Sequence, residues 1–454
     1  MGIRFEALGT TAEIGDASFL LEVDGTVVML DAGLHPRRPG LGGMPKFGSA
    51  AGREVDAILI SHCHTDHLGA LPPAISSFPR ARVLMSAPSA ILAPIMLRHS
   101  ADMMARDAAS GSPHPPLYNQ DGVDMLSYIF QGLNPGHAFP VDGATGLRLS
   151  VTPYDAGHIL GAVGFLVESG GSRVFYTGDT CAHDQEILRG AEYPEGPVDL
   201  LISECTLGSD AKAERRRRGH EARRLARAIC EVAAVGGSIL IPAFALGRTQ
   251  EMLALLDRLR TSGRIPDLDI YWAGFGTKLS DLYDRTAGTT RRVDEGLRLC
   301  DIQVNPLPYG DIARGPHLRD PSIILVSSGM MAQDTLSYRL AEAMLPDPRH
   351  GIFFVGYVDP EMPGSRLLNA VRHSILHMAE GAPEVAVNCR IERYHFSAHS
   401  NRRQLLSAVT RLAPKAVVFT HGEPEAAAWM SQAIRHRLPG TTVILPEQGS
   451  EIIL

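Results

Sequence analysis

Four side chains able to bind a cation fall within six positions of one stretch, SHCHTDHLGALPPAI: His62, His64, Asp66 and His67. They follow an apolar run at 57–60 and precede what reads as a helix start, so they stand where a strand empties into a loop. His62, His64 and Asp66 alternate, and an extended backbone would aim all three the same way, leaving His67 to turn toward a neighbouring point. The pattern recurs downstream. LRLSVTPYDAGH presents His158 just beyond a strand, and RVFYTGDT presents Asp179 beyond another. AVVFTHGEPEAA ends a strand at Thr420 and shows His421 ahead of a helix predicted to begin at Pro424. Gly178, before Asp179, permits close backbone approach.

Imidazole and carboxylate without thiolate suit zinc, and also manganese or iron. Seven such ligands are too many for one tetrahedral ion and suit two. His62, His64 and His158 form one set, Asp66, His67 and His421 the other, and Asp179 is left to bridge. A set drawn from so many places needs a scaffold that delivers strand ends to a common edge. Strand-like runs at 18–23, 26–30 and 57–60 open the chain, and sites of α/β architecture gather at such an edge.

Composition narrows the rest. The 454 residues, 44% hydrophobic and 20% charged, describe a globular chain long enough for two or more cores. No run approaches the roughly 20 apolar residues of a membrane span. Glu6 and Glu13 interrupt the place where a signal peptide carries its apolar stretch. The net charge of −7 argues against a blanket of positive charge, though not against a basic groove. Six scattered cysteines without a C-x-x-C pair fit a reducing, cytoplasmic setting rather than a disulfide scaffold.

H-x-H-x-D-H after a strand, with a later Gly-His and Gly-Asp, resembles the metallo-β-lactamase superfamily. Further segments narrow the resemblance to its β-CASP nucleases. SECTLG places Glu204 after a strand at 198–203, where that group carries an acidic residue. IPAFALGRTQEML, at 241–253, is similar to the group's passage from strand into helix. FSAHSN and FTHGEP place His399 and His421 at its two late histidines. The resemblance implies an α/β protein: an αβ/βα metallo-β-lactamase sandwich from residues 1–207 and 376–454, with a β-CASP α/β cap inserted at 208–375. YWAGFGTK at 271–278 and GYVDPEMPGS at 356–365 match the group only loosely, and both are placed where a cap faces substrate.

What the resemblance implies chemically is a zinc-dependent ribonuclease. Two Zn²⁺ ions, with Mn²⁺ as a substitute, would activate a water for in-line attack on a phosphodiester, leaving 5′-phosphate and 3′-hydroxyl ends. His399, oriented by Glu204, is the candidate general acid for the departing oxygen. By the same resemblance Asp31 orients a metal-binding histidine from behind. Arg248 is assigned either to substrate phosphate or to a cap carboxylate, and Ser328 and Gly329 either to phosphate binding or to an ordinary turn. His421 favours single-stranded RNA over DNA as partner, without a membrane, and a homodimer is compatible. A DNA-directed nuclease, a small-molecule metallohydrolase and a catalytically silent RNA-binding scaffold are the rival readings.

Two further features stay open on sequence alone. Residues 212–227, KAERRRRGHEARRLAR, hold eight basic and two acidic residues, which suits either a phosphate-tracking patch or a solvated helical face. His373 and His377 in HSILH have the i, i+4 spacing of a zinc-protease pair without its glutamate, and the segment is predicted to be an ordinary helix.

Overall fold

The computed structural model describes residues 2–50, 52–307 and 312–454. Alternation along its strands decides how the layers stack. On Thr26–Leu30, Val28 and Leu30 enter one core and Met29 another; on Ala57–Ile60, Ala57 and Leu59 share the first core, Ile58 and Ile60 the second. A strand sends successive side chains to opposite faces, so a run apolar throughout must be covered on both. The same division appears across the shared core. Leu200 and Ile202 face it, while Leu201 turns away to join Val417 and Phe419.

Two seven-stranded sheets result. The first runs Glu451–Ile453, Ile3–Ala7, Phe19–Val23, Thr26–Leu30, Ala57–Ile60, Arg82–Ser86, Phe130–Leu133. The second runs Thr442–Ile444, Ala416–Thr420, Leu200–Glu204, Ser172–Tyr176, Val163–Ser169, Arg148–Asp155, Phe139–Asp142. Phe5, Phe19 and Leu59 from one meet Phe165, Val167 and Ile202 from the other in a common core. Each such side chain, fully buried, contributes about 1.5–3 kcal/mol. Helix Ala87–Ala109 covers one outer face through Leu92 and Leu97, and helices Arg402–Leu412 and Pro424–Arg437 cover the other. This is the expected four-layer sandwich.

Leu200–Glu204 pairs in parallel with Ala416–Thr420, more than two hundred residues later in the chain. Between them lies a third sheet of six parallel strands, in the order Asn305–Pro306, Asp269–Ala273, Ser322–Val326, Ile239–Pro242, Gly351–Phe354, Arg390–Arg393. This is the inserted α/β unit. HSILH departs from expectation: Ile375–His377 is a strand paired antiparallel with Glu384–Ala386. His373 has a left-handed φ of 70°, which no helix accommodates, and Leu376 packs inward while Ile375 and His377 stay exposed. No helix among the described residues is long and apolar enough to cross a membrane.

Candidate metal centre and active site

The side chains singled out for metal binding stand past the C-terminal ends of neighbouring strands and meet at one edge of the sandwich. One expectation of direction changes. His64 is extended, but helix Thr65–Leu68 starts directly after it, with the His67 and Leu68 N–H groups bonded to the His64 carbonyl. Asp66 therefore sits in a helical turn beside His67 rather than alternating with His62 and His64.

Two groups follow. His62 Nε2 lies 3.2 Å from His64 Nδ1, and His158 Nε2 lies 3.1 Å from the same atom. Asp179 Oδ2 completes this group, 3.7 Å from His62 Nε2 and 3.6 Å from His158 Nε2. In the second group His421 Nε2 is 3.2 Å from Asp66 Oδ2. The other Asp179 oxygen, Oδ1, lies 3.5 Å from His67 Nε2 and 3.2 Å from His421 Nδ1. Asp179 thus faces both groups, one oxygen to each.

The tautomers show what these atoms offer. The Ser61 hydroxyl donates to Asp31 at 2.7 Å, so His62 Nδ1–H donates to Ser61 Oγ at 3.0 Å and leaves Nε2 as a lone pair. His158 Nδ1–H donates to the Ala398 carbonyl at 2.8 Å, and His64 Nε2–H points to the Leu246 carbonyl at 3.5 Å. His67 Nδ1–H donates to Asp31 Oδ2 at 2.7 Å. Thr206 donates to Glu204, so its oxygen takes the His421 Nδ1–H at 3.1 Å. In His62, His64, His158 and His67 the nitrogen away from the centre is engaged and the lone pair of the other faces inward. In His421 Nε2 faces Asp66, while Nδ1 stands between Thr206 and Asp179 Oδ1.

Lone pairs 3.1–3.2 Å apart repel unless a cation lies among them. Asp179 Oδ1 and His67 Nε2 are also buried without a hydrogen-bond partner, although buried polar atoms are otherwise satisfied. The donor set therefore fits divalent metal. Burial, then the neighbouring imidazoles, drives His62 and His158 well below the ordinary histidine range, which keeps them neutral and ligand-ready. Burial acts the same way on His67 but is outweighed by Asp179 and Asp31, which raise it to about 10.

Asp31 has no place among the inward-facing atoms. It accepts the Ser61 N–H at 2.6 Å, the Ser61 hydroxyl at 2.7 Å, His67 Nδ1–H at 2.7 Å and the Tyr176 hydroxyl at 2.5 Å, and is fully buried. It fixes His67 through one of these bonds and His62 through Ser61.

Beside the two groups stands a histidine–carboxylate pair. His399 Nδ1 lies 3.1 Å from Glu204 Oε2, and its ring centroid is 4.6 Å from that of His158 and 6.2 Å from that of His421. Glu204 is buried and also accepts the Thr180 N–H at 2.6 Å and the Thr206 hydroxyl at 2.5 Å. Burial lowers His399, but the charge and hydrogen bond of Glu204, with Asp179 and Asp66 behind, raise it to about 9. At neutral pH it carries a proton on the nitrogen turned away from Glu204.

Arg248 is drawn in behind the His158 loop. Its Nη2 donates to Gln185 at 3.3 Å, and Gln185 in turn donates to the Gly157 and His158 carbonyls, each at 2.8 Å. Ser328 makes a turn: its hydroxyl accepts the Ala332 N–H and its carbonyl accepts the Ser337 hydroxyl, while a Cβ on Gly329 would come within 2.9 Å of the Phe244 nitrogen. The basic run divides. Arg216, Arg218 and Arg224 turn inward to Asp210, Glu186 and Glu221, whereas Lys212, Arg215, Arg217 and Arg223 remain exposed.

Sequence reasoning passed over Ser61, Tyr176, Thr206 and Gln185. The first two adjoin the H-x-H-x-D-H and T-G-D segments, and that adjacency was the available signal. Gln185 had none.

Residues 26–242 match the β-lactamase superfamily domain, 249–367 the Beta-Casp domain, and 384–446 the Zn-dependent metallo-hydrolase RNA specificity domain. Among curated proteins, Endoribonuclease YSH1 of Candida glabrata is 30% identical over 452 residues, covering 95% of this chain and 56% of that protein. Endoribonuclease YSH1 of Eremothecium gossypii is 28% identical over 448 residues, with the same two shares. Cleavage and polyadenylation specificity factor 73 of Drosophila melanogaster is 29% identical, covering 95% of this chain and 62% of its own length. The chain thus spans somewhat over half the length of these relatives. A solved structure of a protein of unknown function from Enterococcus faecalis V583 covers both chains fully, with a TM-score of 0.58 at 15% identity, a likeness of fold alone.

Proposed function

Because the chain belongs to the metallo-β-lactamase superfamily and carries its Beta-Casp domain, we propose that it is a ribonuclease hydrolysing phosphodiester bonds of single-stranded RNA with two zinc ions. His62, His64 and His158 would hold one ion, Asp66, His67 and His421 the other, and Asp179 would serve both. Bound there, such ions supply a water acidified to near-neutral pKa and positive charge against the phosphate oxygens. The fold is read as a body of 1–207 and 376–454 and a cap of 208–375, with the strand Arg390–Arg393 carrying the cap sheet past that boundary.

The observation that carries this reading is the His399–Glu204 pair beside two convergent donor groups. A lactamase-like hydrolase expelling a stabilised leaving group has no need of a buried carboxylate bonded to an imidazole beside the donor groups. An alkoxide departing from phosphorus needs a proton. Glu204 holds Nδ1, so the opposite nitrogen delivers it to the 3′ oxygen, leaving a 5′-phosphate. The match of residues 384–446 to an RNA specificity domain supports RNA over DNA.

End-labelled single-stranded RNA and DNA of one sequence, incubated with zinc and then with a chelator, test the reading. RNA should be cut and chelation should stop it. Preferred cutting of DNA, or RNA bound and left intact with zinc present, would overturn it. His399→Ala should reduce cleavage by about 10²–10⁴-fold, the usual share of a general acid, with metal content unchanged. A wild-type rate in that variant removes the assigned role.

A further inference from the structure

The segment leading to His399 has two faces. Tyr394, Phe396 and Ala398 are buried, at 0%, 1% and 7% exposure, while Arg393, His395, Ser397 and His399 between them are partly exposed. The backbone is pinned along its length. Tyr394 N–H extends the cap sheet to the Phe354 carbonyl at 2.7 Å, His395 N–H meets Glu221 at 2.8 Å, and Ser400 N–H meets the Thr180 carbonyl at 2.7 Å. Arg224 lies over the Tyr394 ring at 4.3 Å and bonds the Arg393 carbonyl. Period-two burial in an anchored segment, extended from Arg393 and bending at Ala398 and His399, sends alternate side chains to one side. Arg393 to His399 is six residues, at most about 20 Å, the reach of a few nucleotides.

The charges on that face are unevenly used. Arg216 is spent on Asp210 at 2.5 Å, and Glu221 on Arg224 and the His395 N–H. Arg393 makes no ion pair among the described residues, and its buried Nε has no hydrogen-bond partner. Burial first, then Arg216 and Arg393, push His395 down to about 4 against Glu221 and Asp210. Tyr357, 49% exposed on the loop after Gly351–Phe354, is among the ionisable neighbours of Arg393. A guanidinium without an ion pair among the described residues, with an exposed aromatic ring beside it, suits a nucleic-acid strand better than a lone anion, because one takes phosphate and the other a base face.

We propose that the outward face of residues 393–399 is the track along which the RNA backbone is led to His399, with Arg393 anchoring a phosphate, His395 donating between them, and Tyr357 stacking a base at the outer end. This assignment rests on the ribonuclease reading above.

The test uses zinc-loaded protein carrying His399→Ala, so that a fluorescent 12-nucleotide RNA is retained, with binding followed by anisotropy across a salt series. Adding Arg393→Ala should weaken binding about tenfold and lower the slope of log affinity against log salt by about one. Arg393→Lys should restore most of both. Tyr357→Ala should weaken binding several-fold with the slope intact, since stacking releases no counterions. An unchanged slope in Arg393→Ala, or no recovery in Arg393→Lys, overturns the track even where the protein with His399 intact cuts RNA in a chelator-sensitive way. If that protein neither binds nor cuts RNA, the ribonuclease reading itself fails and the track with it.

Discussion

Asp31 shows how much a residue contributes without touching a metal or substrate. Its four bonds choose the tautomers of His67 and, through Ser61, of His62, so that both lone pairs face inward. Asp31→Ala would leave His67 Nδ1 and the Tyr176 hydroxyl unpaired in a dry interior. Affinity for the metal at the His67 group should fall about 10–100-fold, as read by titration of metal-free protein. Unaltered affinity would show that packing alone orients the ring. Glu204 acts on His399 in a way that pH reveals. Its charge outweighs burial and holds the His399 proton up to about 9, so the acid form is present below that pH and lost as pH rises through it. Glu204→Gln removes the raising charge, and the alkaline limb of kcat/KM for RNA should move to lower pH. An unmoved limb would assign the proton donor elsewhere. Asp31 and Glu204 were legible only by resemblance, since a single aspartate or glutamate after a strand carries no pattern. Of their partners, Tyr176 offered only its place beside the T-G-D segment, since its bond to Asp31 crosses from one sheet to the other. Thr206, two residues from Glu204, offered no pattern, because a lone threonine after a strand is common.

Elements were most readable where one local rule decided them. Apolar runs at 26–30 and 57–60 are the strands Thr26–Leu30 and Ala57–Ile60, and Pro424, with φ already set for a first turn, opens Pro424–Arg437. HSILH was misread because two histidines four apart sit on one face of a helix and also, at an even separation, on one face of a strand. The helix after the His399 loop has an end worth testing. Asn401 accepts the Arg403 and Gln404 N–H groups at 3.0 and 3.1 Å, and Gln404 returns a bond to the Asn401 N–H at 2.9 Å. Asn401→Ala should cost about 1 kcal/mol in denaturant unfolding. A variant as stable as the parent would mean that packing of Leu405 and Val409 against the second sheet carries this helix alone.

At the scale of the molecule, body and cap are joined by a buried seam. Ile159 and Leu160 of the body share a core with Leu246 and Met252 of the cap. Glu251, 1% exposed, reaches from the cap to accept the N–H groups of Glu186, Ile187 and Leu188 at 2.5, 3.2 and 3.3 Å, and pairs with Arg218 at 3.4 Å. Glu251→Ala would strand three backbone donors and leave Arg218, half-buried, with Glu186 alone of its two carboxylates. A loss of about 2–4 kcal/mol, from backbone N–H groups left unpaired in a buried seam, is expected in equilibrium unfolding. A loss below about 0.5 kcal/mol, the range of an ordinary surface change, would show water filling the seam.

Residue type and local order alone pointed to a set of possible cation ligands at strand ends, because ligand chemistry and apolar runs are both local properties. The tertiary structure decided which nitrogen of each histidine looks inward, where Arg248 is spent, and that Arg393, six residues from His399, is left with no ion pair among the described residues. Those outcomes depend on partners tens to hundreds of residues away, brought together only when two sheets and an inserted third close on one another.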